Sequence, residues 1–303
     1  MSSHIINRDL NLDTVWNLSW EQSKKHAWSF ILLYICIGLI VSVIYSLIMV
    51  PIVSELIGDP SLANNPDKMG LALLGLIFKS ILSFSLGIIA IWLTSSYFRV
   101  ALYRMLMDGV KGQPLSVGER LTGAWNGFIW FLIVEFVLGI VMLSAYLPYI
   151  LGNLLISMWT ISEMSFSSFL IGNLLRLVLV IPYVYFQVRL LFVPLIAAYK
   201  PELTLTDTFS QSWNLTRGHF WTLLAIGIVA YLINIVGFIC CCIGILFTIV
   251  ITQFMLANVY YILSGEYEDA NLDAAIVEDE TSSPGNNEDN EGNKSEGDYD
   301  RTY

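Results

Sequence analysis

Apolar positions in this chain fall in six blocks of membrane-spanning length, separated by polar segments. The blocks cover residues 27–50, 71–95, 125–150, 166–191, 220–239 and 243–263. Each is near the ~20 residues that a helix needs to cross a bilayer. None alternates with the period of two that marks a strand, so the pattern predicts an all-α polytopic membrane protein of six transmembrane helices. The last two blocks are joined only by Cys240, Cys241 and Cys242, which requires a tight antiparallel hairpin.

The polar segments carry a second signal. Trp213-Asn-Leu-Thr-Arg217-Gly-His219-Phe-Trp221 leads into the fifth block, and Trp20-Glu-Gln-Ser-Lys24-Lys-His26-Ala-Trp28 leads into the first. Both spell Trp, three residues, a cation, one residue, His, one residue, Trp. A reduced copy, Trp125-Asn-Gly-Phe-Ile-Trp130, opens the third. A shift of 88 positions brings Tyr97-Phe98 onto Tyr185-Phe186, Val100 onto Val188 and Trp125-Asn126 onto Trp213-Asn214. The match runs through polar sequence, where chance similarity between apolar helices does not reach. The expected unit is therefore a helical hairpin repeated three times, over about 9–110, 111–200 and 201–264. Ser116-Val-Gly-Glu119 and Thr204-Leu-Thr-Asp207 have the spacing of a helix-starting capping box. Each hairpin is thus expected to follow a short amphipathic helix lying in the interface.

Charge fixes an orientation. The segments before the odd-numbered spans hold Arg8, Lys24 and Lys25, then Arg99, Arg104, Lys111 and Arg120, then Arg189, Lys200 and Arg217. The opposite connections hold Lys68 alone. By the positive-inside rule both termini are expected on the cytoplasmic side. Seven Trp residues cluster where the chain meets lipid on that same side, as an aromatic belt would.

Composition refines this picture in two places. The chain is 56% apolar and 13% charged, with a net charge of −10. Thirteen acidic residues and only Lys294 and Arg301 lie in 265–303, so the acidity belongs to the tail and the remainder is near neutral. That tail has little to bury and is expected to be disordered. No cleavable signal is expected, because the first apolar block is too long and lacks a cleavage site. The cysteines suit neither a disulfide framework nor a metal site, since three in a row cannot easily converge.

Few residues could carry chemistry. Glu135 lies inside the third block, where an acid is costly and needs a partner or a wet cavity. Lys79 and Arg176, also within blocks, complete an expected intramembrane charge cluster. Glu135 could lock helix packing, serve a solute or proton path, or face lipid protonated. Trp20, Lys24, His26, Trp28, Trp125, Trp213, Arg217, His219 and Trp221 are candidates for contact with lipid headgroups, or plain interfacial anchors. Pro182 should bend the fourth span. No nucleotide-binding, hydrolase or metalloprotease motif is present, so no catalytic residue, metal or cofactor is expected.

The stretch from Asp207 to Trp221, with Cys-Cys-Ile-Gly244 and Tyr260-Tyr261 after it, resembles a diffuse group of bacterial integral membrane proteins. That group includes the membrane domain of glycerophosphoryl diester phosphodiesterases. The soluble catalytic barrel of those enzymes has no counterpart here. The resemblance implies a bacterial cytoplasmic membrane location and no transferable activity. The expected function is a non-catalytic protein that organises a protein partner or its lipid surroundings. The alternative is a small carrier for an amphiphilic solute around Glu135. Membrane lipids, and another membrane protein, are the expected partners; nucleic acid is not.

Overall fold

In a bilayer every backbone polar group must be satisfied within the chain, so apolar runs of this length fold as helices. The computed structural model describes residues 10–58, 66–163 and 165–267, without side chains at 49, 51–53, 55–58, 66–77, 79, 163 and 241–243. Among the described residues it is all-α: α1 (Leu12–Gly58), α2 (Pro66–Val110), α3 (Val117–Gly123), α4 (Trp125–Glu163), α5 (Phe166–Arg189), α6 (Val193–Tyr199), α7 (Leu205–Thr216), α8 (Phe220–Ile239) and α9 (Cys241–Ser264). Six of these, α1, α2, α4, α5 with α6, α8 and α9, provide helical stretches long and apolar enough to cross a membrane. The protein is a multi-pass membrane protein. The chain divides into Met1–Ser264 and Gly265–Tyr303. The expected disorder of the acidic tail concerns positions almost all outside the described residues.

Where the boundaries differ from expectation, local sequence gives the reason. The interfacial helix foreseen before the first span is not a separate element, because α1 runs unbroken for 47 residues. Residues 16–31 contain neither Gly nor Pro and are rich in good helix formers, so nothing stops the helix. Likewise the polar segment after residue 95 is not a loop: α2 continues to Val110. It closes where Gln113 N–H donates to Asp108 O at 2.9 Å. Pro182 and Pro148 both lie inside helices, α5 and α4.

The other two lead-in helices form as separate elements. Thr204 caps α7, accepting from Asp207 N–H at 3.3 Å and donating its hydroxyl to the Asp207 carboxylate. Ser116 precedes α3 and donates to Glu119 at 2.7 Å. A left-handed glycine stands at the entry to each following span, Gly127 at φ 104° at the break just inside α4 and Gly218 at φ 91° just after α7. Only a residue without Cβ adopts that backbone cheaply, and it turns the chain into the next span.

The spans pair as antiparallel hairpins, α1 with α2, α4 with α5, and α8 with α9, and α9 also lies along α1. The core gathers at the end where α3, α6 and α7 lie. Val100 and Ala101 of α2, Phe131 and Val134 of α4, and Val193, Ala197 and Ala198 of α6 form one buried cluster there. Half of the apolar window of α9 is buried, against 6–17% in the other five, so α9 is the central helix. Leu143, Leu147 and Leu151 of α4, or Phe169 and Leu177 of α5, remain exposed, as side chains facing lipid do.

Candidate functional site

Continuation of α2 through residue 99 has a direct chemical result. Ser96 and Arg99 are three apart, hence on one helical face, and that face meets Glu135 on α4. The Glu135 carboxylate accepts from the Ser96 hydroxyl and pairs with the Arg99 guanidinium. Ser96 is fully buried and the Glu135 side chain is 12% exposed, while that of Arg99 is 45% exposed. The carboxylate is thus enclosed and the cation reaches the surface. Tyr97, between the two partners, donates to Leu121 O of α3 at 2.5 Å, which ties this pair to the short-helix layer.

The expected cluster of Glu135 with Arg176 is not formed. Arg176 sits in the α4–α5 hairpin, where Nε donates to Asn153 at 2.8 Å. Its Nη1 and Nη2 donate to Asn173 and Ser157, each at 3.0 Å. Three neutral acceptors satisfy a cation on apolar helices without any carboxylate. The side chain of Lys79 lies outside the described residues. Sequence reasoning missed Arg99 because it placed that residue in a loop. The unbroken helical sequence from Ser96 to Val110 was the available signal.

The interfacial residues divide into packed and outward-facing members. Trp20 stacks on Trp16 and meets Phe247 edge-on, with Lys24 Nζ 4.9 Å from its ring. His26 stacks on Phe254. Trp213 packs on Tyr185 and Phe186. By contrast Trp28, Trp125 and Trp221 are 76%, 67% and 78% exposed, one at the start of each odd-numbered span. Arg217 is exposed and His219 half-buried between α7 and α8.

Two further arginines escaped the sequence reading. Arg189 lies between the rings of Tyr185 and Trp213, 5.3 and 5.1 Å from their centroids. Its Nε and Nη1 are buried without a hydrogen-bond partner. Arg104 acts as a clamp. Nε donates to Ala198 O of α6, Nη1 to Gly123 O of α3 and Nη2 to Asn126 O at the break in α4, all within 2.7–2.8 Å. These carbonyls lie at helix ends, where intrahelical donors run out. Beside the clamp, Asp108 holds Arg120 through two bonds of 2.6 and 2.8 Å. Lys111 donates to the Tyr199 hydroxyl at 2.5 Å. Together these side chains line a half-open polar cleft of about 350 Å³.

The aromatic setting of Tyr97 and Tyr185 is alike. Tyr97 contacts Phe98, Trp125 and Phe128 at 5.8, 6.5 and 5.6 Å between centroids. Tyr185 contacts Phe186, Trp213 and Phe220 at 5.8, 5.9 and 5.6 Å. Comparison with family models, with curated proteins and with solved structures found no match to this chain.

Proposed function

We propose that this is a non-catalytic integral membrane protein that organises the lipid around it and, through its exposed apolar faces, a membrane protein partner. The observation that carries the reading is the outward placement of one Trp at the start of each odd-numbered span, Trp28, Trp125 and Trp221. An indole combines an apolar body with one N–H donor, which suits the boundary between headgroup and acyl chain. Lys24 and Arg217 stand beside two of them in sequence and supply charge for anionic headgroups.

The paired surroundings of Tyr97 and Tyr185, and the short helices that start after Ser116 and Thr204, support a hairpin unit used repeatedly. The loop distribution of Lys and Arg supports cytoplasmic termini. The resemblance to the membrane domain of the phosphodiesterases supports a bacterial cytoplasmic membrane location. A carrier site at Glu135 draws no support from the geometry, because that carboxylate is already engaged by Ser96 and Arg99.

The test is lipid retention through mild detergent extraction, measured by native mass spectrometry, for the natural chain and for the triple variant Trp28→Leu, Trp125→Leu, Trp221→Leu. Leucine keeps the apolar body and removes the N–H and the ring. A clear drop in retained phospholipid is expected. Equal retention by a variant that melts normally would refute the reading.

A further inference from the structure

We propose that Arg189, at the end of α5, holds the phosphate of an anionic phospholipid where α5 and α8 meet the headgroup layer. Other arginines spend their donors on protein acceptors. Arg99 pairs with Glu135, Arg120 with Asp108, Arg104 with three backbone carbonyls and Arg176 with three neutral side chains. Arg189 does not. Its Nε and Nη1 are buried with no hydrogen-bond partner, and no carboxylate among the described residues pairs with it. The rings of Tyr185 and Trp213 hold the guanidinium over their faces, which attracts a cation without neutralising it. A cation withdrawn from water on one edge and left without a counter-charge is costly. An anion beside it lowers that cost.

The position is built, and it adjoins lipid. Ser212 and Thr216, both fully buried on α7, donate to Arg189 O at 3.0 and 3.4 Å and fix the backbone that carries the guanidinium. Phe220, the first residue of α8, meets Tyr185 at 5.6 Å, and Trp221 beside it is exposed. Arg189 itself is half-buried, so contact is made at its open edge, while the two enclosed nitrogens leave the charge uncompensated. Back along α5, Tyr185, Ile181 and Leu177 follow at intervals of four, a row of neighbours on one helix surface. Ile181 and Leu177 are exposed. A phosphate at Arg189 therefore leaves its acyl chains to run along this row into the bilayer, which favours a lipid over free phosphate. A zwitterionic headgroup brings its own cation and gains less from an unpaired guanidinium than a net-anionic one. The inference rests on the lipid reading above and names the headgroup that one residue would hold.

The experiment uses the full chain in nanodiscs of equal phosphatidylglycerol and phosphatidylcholine, two phosphodiesters that differ in net charge. After mild extraction, the retained lipids are compared by native mass spectrometry. About fivefold preference for phosphatidylglycerol is expected, falling below about twofold in Arg189→Met, which keeps a flexible chain between the rings. Lys25→Gln removes an exposed cation from α1 and should leave the preference unchanged, which separates this cation from charge in general. Melting in lipid-free detergent is the second readout. Removing an uncompensated cation should leave the midpoint unchanged or raise it, whereas a fall of several degrees would make Arg189 a packing residue and overturn the proposal. Equal preference in the natural chain and Arg189→Met overturns it too, as does equal loss in Lys25→Gln. Millimolar inorganic phosphate against chloride at equal ionic strength is the parallel arm. A raised midpoint there without any lipid preference assigns the anion to solution and refutes a lipid site. The tryptophan test reads total retained lipid and this one its composition, so either can fail while the other stands.

Discussion

A carboxylate enclosed by apolar helices persists only while its donors stay in position, and Glu135 has two. Breaking an enclosed pair leaves the surviving charge uncompensated, at a cost of about 3–5 kcal/mol when both groups are buried. Arg99 is nearly half exposed and can reach polar surroundings, so Glu135→Gln should cost less, roughly 1–2 kcal/mol. A double-mutant cycle with Arg99→Gln should show coupling near 1 kcal/mol, whereas Glu135 and Arg176 should be additive within about 0.5 kcal/mol. Coupling to Arg176 instead of Arg99 would contradict the described geometry. Gly127 offers an independent residue-level test. A Cβ there would lie 2.9 Å from Arg104 Nη2 and 3.1 Å from Pro201 Cβ, on a backbone at φ +104°. Gly127→Ala should therefore lower stability by about 1–3 kcal/mol in a melting assay, loosening the Arg104 clamp as it does so. Gly118→Ala is the control, because a Cβ there meets nothing within 4 Å.

Among the elements, the join of α1 to α9 combines aromatic contacts with one buried polar side chain. Asn258, buried on α9, donates to Ser19 Oγ at 3.0 Å and to Gln22 Oε1 at 2.8 Å on α1. Replacing it with Leu strands both acceptors, and a loss of about 1–2 kcal/mol is expected from chemical or thermal unfolding. A neutral result would show that the apolar contacts of Phe30 with Phe254 hold this pair of helices by themselves. The six spans were readable from hydropathy alone, because bilayer thickness sets block length and a helix satisfies its backbone in lipid within one continuous apolar segment. The helix starts after Ser116 and Thr204 were readable as well, since the Ser/Thr-x-x-acid spacing is local chemistry, although only Thr204 accepts from a backbone N–H of its helix. The extent of α1 and α2 was not. Lys24, Lys25, Arg99 and Arg104 look like loop residues on a charge scale, yet polar sequence without Gly or Pro prolongs a helix as readily as apolar sequence does. That single ambiguity hid the partner of Glu135, because Arg99 meets it only when α2 stays helical.

For the molecule as a whole, the hairpin arrangement puts α3, α6 and α7 at one end and the hairpin turns at the other. Single cysteines at Gln113 and at Ser162 should then react from opposite sides of the membrane in a background without native cysteines. Labelling by an impermeant maleimide is expected at Ser162 in intact cells, and at Gln113 only after permeabilisation. Reaction of both from one side would contradict the hairpin arrangement.

The central position of α9 also sets a timetable for biosynthesis. Among the described helices a ribosome delivers α1 first and α9 last, yet the buried face of α1, with Val15, Ser19 and Phe30, is completed by α9. Until α9 emerges, the nascent chain must wait in the bilayer with that groove uncovered. A messenger truncated just before α9 would still specify five inserted spans, but their product could not close. Membrane proteases that sense loosely held helices should clear it quickly, and α9 supplied as a separate polypeptide should prolong its lifetime. Pulse–chase turnover of the truncated chain, with and without the separately expressed helix, would reveal whether completion of this protein is itself a checkpoint.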